Sequence, residues 1–197
     1  GAPWASASTV EKEVREAVRN HLKWHADGTA TTDDFLTALA AAARDADRPG
    51  DTLAAFKSFL DQPGVPFLDV ETGCTKGGPG VENVAFLKVR QSRYLPLGTA
   101  AKADATWGVP FCASIRRDGG AWVEACAMLT AAESTVPLPF CPDVVLPNRG
   151  ARGYFRHSIP AGLRRAFTDD TFRASLSDVE RLALADAASA SLKSGHA

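Results

Sequence analysis

Four histidines and four cysteines are the side chains of this 197-residue sequence best suited to hold a metal or run nucleophilic chemistry. The segment His21-Leu22-Lys23-Trp24-His25 sets two imidazoles at i and i+4, on one face of a helix, which is the ligand spacing of helical zinc sites. Leu22 stands where H-E-x-x-H requires its general-base Glu, and two histidines alone leave zinc under-coordinated. His21 and His25 are therefore weak metal candidates, and a pair of helix-surface histidines is the plainer reading. No G-x-S-x-G elbow, G-x-x-x-x-G-K-[ST] loop or G-x-G-x-x-G fingerprint occurs. The cluster Gly73, Gly77, Gly78 and Gly80 reads as a turn-rich connection, because no helix follows it to supply a dipole for a phosphate.

The cysteines, Cys74, Cys112, Cys126 and Cys141, contain no C-x-x-C, so neither a zinc ribbon nor a thioredoxin-type site is indicated. Cys112 and Cys126 are equidistant from Gly119 in the apparent turn Arg117-Asp118-Gly119-Gly120. A three-residue loop sets them opposite each other on adjacent strands, where Cβ atoms lie ~4.5–5.5 Å apart. By elimination Cys74 pairs with Cys141. An even count confined to one segment favours two disulfides over four buried thiols, and with them an oxidising, periplasmic or extracellular setting.

Lys and Arg total 22 against 23 Asp and Glu, for a net charge of -1. Without net basicity or a cluster of basic residues there is no electrostatic footprint for nucleic acid. The longest apolar run, Ala38 to Ala43, is far short of the ~20 residues that a membrane-spanning helix needs. No nucleic-acid or membrane partner is expected. The sequence begins without Met, as a processed or recombinant chain does.

The elements that must position these residues are announced by Ala and Val. Residues 1–60 hold 14 Ala and 3 Val, 61–150 hold 11 Ala and 10 Val, and 151–197 hold 10 Ala and 1 Val, an order of helix, strand, helix. Val10, Val14, Val18 and Leu22 predict an amphipathic helix that ends near Asp27-Gly28. A second helix is capped by Thr31 or Thr32, with Phe35, Leu36 and Leu39 inward. A third follows Asp51, with Leu53, Phe56, Phe59 and Leu60 inward, and stops at Gln62-Pro63-Gly64. Strands are expected over 67–71, 84–94, 108–115, 121–129, 134–138 and 152–159, and short strands at this spacing argue for a sandwich. Ser177-Asp178-Val179-Glu180 has the capping-box pattern and opens a last helix to about Lys193, with Gly195 as its stop.

Six phrases resemble one family in order and spacing. Val18-Arg19-Asn20-His21-Leu22-Lys23-Trp24-His25 with Ala30-Thr31-Thr32-Asp33-Asp34-Phe35 looks like the helices that end the thermolysin-like catalytic domain of zinc aminopeptidases of the alanyl/leucyl aminopeptidase family. Phe59-Leu60-Asp61-Gln62-Pro63-Gly64-Val65-Pro66 is similar to that family's entry into its β-sandwich domain. Gln91-Ser92-Arg93-Tyr94 and Trp107-Gly108-Val109-Pro110 resemble two of its strands. Asn148 with Gly153-Tyr154-Phe155-Arg156 resembles the last strand. Leu176-Ser177-Asp178-Val179-Glu180-Arg181-Leu182 with Ala185-Asp186-Ala187 resembles the helix that opens the C-terminal helical domain.

The resemblance implies an α+β chain, an immunoglobulin-like antiparallel β-sandwich flanked by α-helices at both ends. Its divisions are 1–62, the end of a catalytic domain; 63–159, the sandwich; and 160–197, the start of a helical domain. Family members bind zinc through H-E-x-x-H and a downstream Glu, hold the substrate amine through G-x-M-E-N, and stabilise the transition state with a Tyr. None of these motifs occurs here, so no family catalytic residue falls on this sequence and no cofactor is expected in it; zinc belongs to the parent enzyme. The resemblance thus implies a non-catalytic fragment whose partner is the remainder of an exported bacterial aminopeptidase. The rival expectation is a stand-alone binding module. Helices severed from their partners would expose apolar faces on 10–25 and 178–193 and favour self-association.

Overall fold

A computed structural model describes residues 7–42, 49–75, 84–117 and 119–196. Gly77, Gly78, Gly80 and Asp118 lie outside them. The chain divides into two compact units, 1–62 and 63–197.

The first unit is helical: α1 Ala7–Trp24, α2 Thr32–Ala42 and α3 Pro49–Leu60. At the start of α2, Thr31 Oγ1 accepts from the Asp34 amide while Asp34 Oδ2 accepts from the Thr31 N–H at 2.7 Å, so two amides left without helical partners are satisfied reciprocally. Ala17, Leu39 and Ala42 form the core, with Val14, Leu53 and Phe56 against it. The expected stripe on α1 is corrected here. Val18 is 41% and Leu22 66% exposed, whereas Ala17 is fully buried. Steps of four residues drift about 40° each around a helix of 3.6 residues per turn, so Leu22 lies about 120° from Val10. The packed face instead runs through Val14, Ala17 and His21. Leu60, expected inward, is exposed at the last position of α3.

The second unit carries β1 Pro66–Thr75, β2 Val84–Arg93, β3 Val109–Arg116, β4 Val123–Leu129, β5 Glu133–Leu138, β6 Val144–Leu146 and β7 Arg156–His157. They form two sheets, ordered β5-β2-β1-β7 and β4-β3-β6. All pairings are antiparallel except β1 with β7, a parallel pairing of two residues. Alternation assigns the faces. Leu68, Val70, Ala85, Leu87, Val89 and Val136 make the buried face of the first sheet. On its other face Arg90 meets Glu71 at 2.9 Å and Glu133 at 3.2 Å, and Lys88 meets Glu133 at 3.0 Å. These exposed pairs contribute little stability.

In the second sheet Val109, Phe111, Ala113 and Ile115 share one face, and Val144 and Leu146 lie on the other. That second face is covered by a 3₁₀ helix, Ala161–Phe167, by α4 Asp170–Ala174 and by α5 Asp178–Ser194: Leu163, Ala166, Phe172, Leu176 and Leu184 pack with Val144 and Leu146. A Cβ on Gly162 would stand 1.9 Å from the Asp143 carbonyl oxygen, so only glycine lets this helix approach β6 so closely. Residues 160–197 thus pack in the same compact unit as the strands. Ser177 and Glu180 form the capping box of α5, and Gly195 ends it in the left-handed region at φ 77°. The expected strand over 152–159 shrinks to two residues, because Asn148–Gly153 is a loop. Strand β6 escapes the sequence reading because three apolar residues between Pro142 and Pro147 carry no period.

One buried amide ties these parts together. Gln91 Nε2 donates to the Trp107 carbonyl at 3.1 Å and to the Ala131 carbonyl at 2.8 Å, and Oε1 accepts from the Trp107 amide at 2.9 Å. Gln91→Leu keeps the volume but leaves those three backbone groups without their partner. It should lower stability by about 3 kcal/mol, read as a lower urea midpoint at unchanged slope.

Candidate functional site

His21 lies on α1 and His25 directly after its last residue, with ring centroids 5.0 Å apart. The His21 ring meets the Phe35 ring edge-on at 5.4 Å, and its Nδ1 is buried without a hydrogen bond. Phe35 in turn packs on Phe56 at 5.4 Å, so His21 serves as a packing residue between α1 and α2. Among the described residues no group of three His, Cys, Asp or Glu side chains is placed to hold a metal ion.

All four cysteines are bonded, Cys74 with Cys141 and Cys112 with Cys126. Cys112 and Cys126 face each other in the β3–β4 register with Cα atoms 4.1 Å apart, the close spacing of a non-hydrogen-bonded pair. Cys74 ends β1 and Cys141 lies between β5 and β6, so this link closes a separation of 67 residues. Two such bonds suit an oxidising environment. No described helix is long and apolar enough to cross a membrane.

A concave site of the second unit lies where the loop 148–153 and β7 meet α5. It is a cleft of about 290 Å³, lined by Val65, Asn148, Phe155, Arg156, His157 and Ala187 among others. Asn148 shapes the loop: its Nδ2 donates to the Gly153 carbonyl at 3.0 Å and its Oδ1 accepts from the Gly153 amide at 2.8 Å. Glu180 on α5 accepts from the Gly150 amide at 3.2 Å, which fastens loop to helix. Burial pushes the Glu180 carboxyl up, but hydrogen bonds from Ser177 and Gly150, with Arg149 nearby, outweigh it and hold the group below its ordinary value.

Arg156 donates through Nη1 to both carboxylate oxygens of Asp186 at 3.0 Å, and its guanidinium carbon sits 4.8 Å from the centre of the Tyr94 ring. His157 is only 3% exposed. Its Nδ1–H donates to the Ser158 carbonyl at 2.8 Å, and its own carbonyl accepts from Ser191 Oγ on α5 at 3.4 Å. Ser158 Oγ accepts from the Val70 amide at 2.9 Å, so β7 is locked to β1 on one side and α5 on the other. Desolvation by burial pushes the His157 imidazole below its ordinary 6.5, against weaker opposition from the Ser158 hydrogen bond and Asp186.

The described lining of the cleft brings charged, titratable and apolar groups together. What it offers is one fixed guanidinium, one neutral imidazole and apolar walls. Sequence reasoning found the cysteine pairs but not this grouping, since Arg156 and Asp186 stand 30 positions apart and only the fold unites them. Comparison with protein-family models gives no match, and comparison with curated proteins gives none.

The unfolded chain takes up a proton at His157 near pH 6.5 that the folded chain refuses, so the native state is favoured as pH rises. Stability should be full above 6.5 and fall as pH drops toward the lowered native value. His157→Gln should flatten that slope directly below pH 6.5, measured by urea midpoints, because lowered carboxylates such as Asp169 and Glu180 act in a more acid window. For the cysteines, thiol titration of the denatured, unreduced chain should find no free thiol; four reactive thiols would overturn both pairings.

Proposed function

We propose that these residues form the non-catalytic part of a zinc metallo-aminopeptidase, an enzyme that removes N-terminal residues from peptides. Residues 1–62 are the end of its catalytic domain and 160–197 the start of its C-terminal helical domain. Residues 63–159 are an immunoglobulin-like β-sandwich that spaces the two. The zinc and the general base belong to the parent's catalytic domain, and the partner of this chain is the remainder of that enzyme. The disulfides suit a bacterial, exported protein of the periplasm or the extracellular space.

The observation that carries this reading is that the phrases resembling the family touch one another. Gln91 binds both backbone groups of Trp107. Asn148 binds both of Gly153. Arg156 pairs with Asp186. Gly64, at φ 118°, lies against the Arg93 side chain, where a Cβ would meet Nε at 2.7 Å, and the Tyr94 amide donates to the Val65 carbonyl at 2.8 Å. Residues picked out by likeness alone need not have met in space, whereas a shared architecture requires these contacts. The sandwich itself is supported by the division of the strands into two sheets with buried apolar faces, and by Phe111 of β3 lying 6.0 Å from Phe155 beside β7.

A second reading, a stand-alone binding module on the same scaffold, is favoured by the exposed Val179, Leu182 and Leu192 on α5, which a partner protein would cover as well as a flanking domain. The reading frame that encodes the chain separates the two. The enzyme reading expects H-E-x-x-H upstream in the same frame, and a frame without it overturns that reading. The pure chain should take up no stoichiometric zinc by metal analysis and hydrolyse no aminoacyl anilide; zinc-dependent turnover by it alone contradicts the spacer role.

A further inference from the structure

The polar groups of the cleft are not all committed. Arg156 uses Nη1 for both oxygens of Asp186, while Nε and Nη2 make no hydrogen bond to the described residues. Those two nitrogens form the edge of a guanidinium that binds a carboxylate bidentately. Stacking on Tyr94 at 4.8 Å and the bond to Asp186 fix its plane, so a ligand need not order it. The side chain is 31% exposed, which leaves it reachable from solvent. Beside it the walls are apolar: Val65, Phe155, Ala183 and Ala187. His157 spends Nδ1–H on the Ser158 carbonyl and holds Nε2 without a partner among the described residues. Asn148 spends one N–H and one lone pair on Gly153, which fixes its carboxamide at the mouth of the loop.

We propose that this cleft binds a small carboxylate with a branched apolar body, of the size of a free aliphatic amino acid. The carboxylate takes the open edge of Arg156, and the apolar body lies against Phe155, Ala183 and Ala187. The volume of about 290 Å³ is at the small end of ligand pockets and suits a body of that size. Asp186 remains beside Arg156 and attracts an ammonium group, so an amino acid gains one contact over a simple acid. The site is independent of the aminopeptidase reading, since it rests on these side chains alone.

The test is titration of the isotope-labelled full chain with isovalerate, leucine and leucinamide, followed by amide resonances. Isovalerate and leucine should shift residues 153–157 and 183–187 saturably, leucine at least as strongly, while leucinamide, which lacks the carboxylate that Arg156 binds, should shift them far less. Arg156→Lys keeps the charge without the fork and should weaken binding about tenfold. Ala183→Leu fills the cleft with a good helix former and should abolish binding while the circular dichroism spectrum is retained. Absence of saturable shifts with both carboxylates, shifts of equal size with leucinamide, or undiminished binding by Ala183→Leu would each overturn the proposal. The leucinamide comparison decides the matter on the unaltered protein, whatever the variants do.

Discussion

The arrangement of the strand unit depends on the Gln91 carboxamide. A peptide group buried without a partner costs more than a typical hydrogen bond contributes, so a stretch leading into a core strand must find donors and acceptors before it can be buried. Trp107 precedes β3 and is 1% exposed, and its amide and carbonyl are buried with it. Gln91 answers both with one side chain and adds the Ala131 carbonyl, while its own amide donates to Ala132 at 2.8 Å. The side chain extends from β2 to the approach of β3 and to the turn between β4 and β5. A carboxylate there has no donor for the two carbonyls, and a shorter amide does not reach. Neutrality, length and two-sided bonding together make glutamine the residue that registers the two sheets.

The same economy governs the helical cover. Strand β6 buries Val144, Val145 and Leu146 in succession, which requires apolar partners on both of its faces. One side is supplied by Ile115 and its neighbours, the other by Leu163, Phe172, Leu176 and Leu184. At the edge of that second cluster the guanidinium of Arg116 lies between Trp122 at 4.5 Å and Phe172 at 4.9 Å, so a cation closes an apolar layer by its flat faces. The end of α5 is held separately. Leu97 donates its amide to the Lys193 carbonyl at 2.8 Å, and the His196 ring lies 4.5 Å from Phe67, a residue 1% exposed on the face of β1 opposite Leu68 and Val70. Without the helix end that phenylalanine would face water, so strand and helix each complete the other.

What was legible in the sequence follows from the range of the forces involved. Local signals were strong: Thr31 before α2, Ser177 and Glu180 before α5, Gly195 after it, and Gly119 between β3 and β4. Each depends on contacts within a few residues. The Cys112–Cys126 pairing was legible for the same reason, since a hairpin turns sequence distance into register. The α1 face was misread because an i, i+4 series looks periodic on paper yet winds around the helix, and Ala17, the residue that packs, is too small to stand out. Strand β6 and the helices over 161–174 were missed because segments of three to seven residues hold too few turns or alternations to reveal a period. The cleft was beyond any such reading, since Asn148, Arg156 and Asp186 come from three segments.

Most polar groups buried in the strand unit are consumed by backbone. Gln91 satisfies Trp107, Asn148 satisfies Gly153, and Ser158 satisfies Val70. A group so engaged is held in one orientation by its backbone partner. These residues therefore fix loop geometry within the strand unit. Arg156 departs from the pattern. It spends only one nitrogen on Asp186 and is stiffened by Tyr94, so rigidity required for joining β7 to α5 leaves an oriented charge at a cleft. A structural pair can acquire a ligand by this route without any catalytic residue nearby, because the order that makes binding specific is already present for another reason.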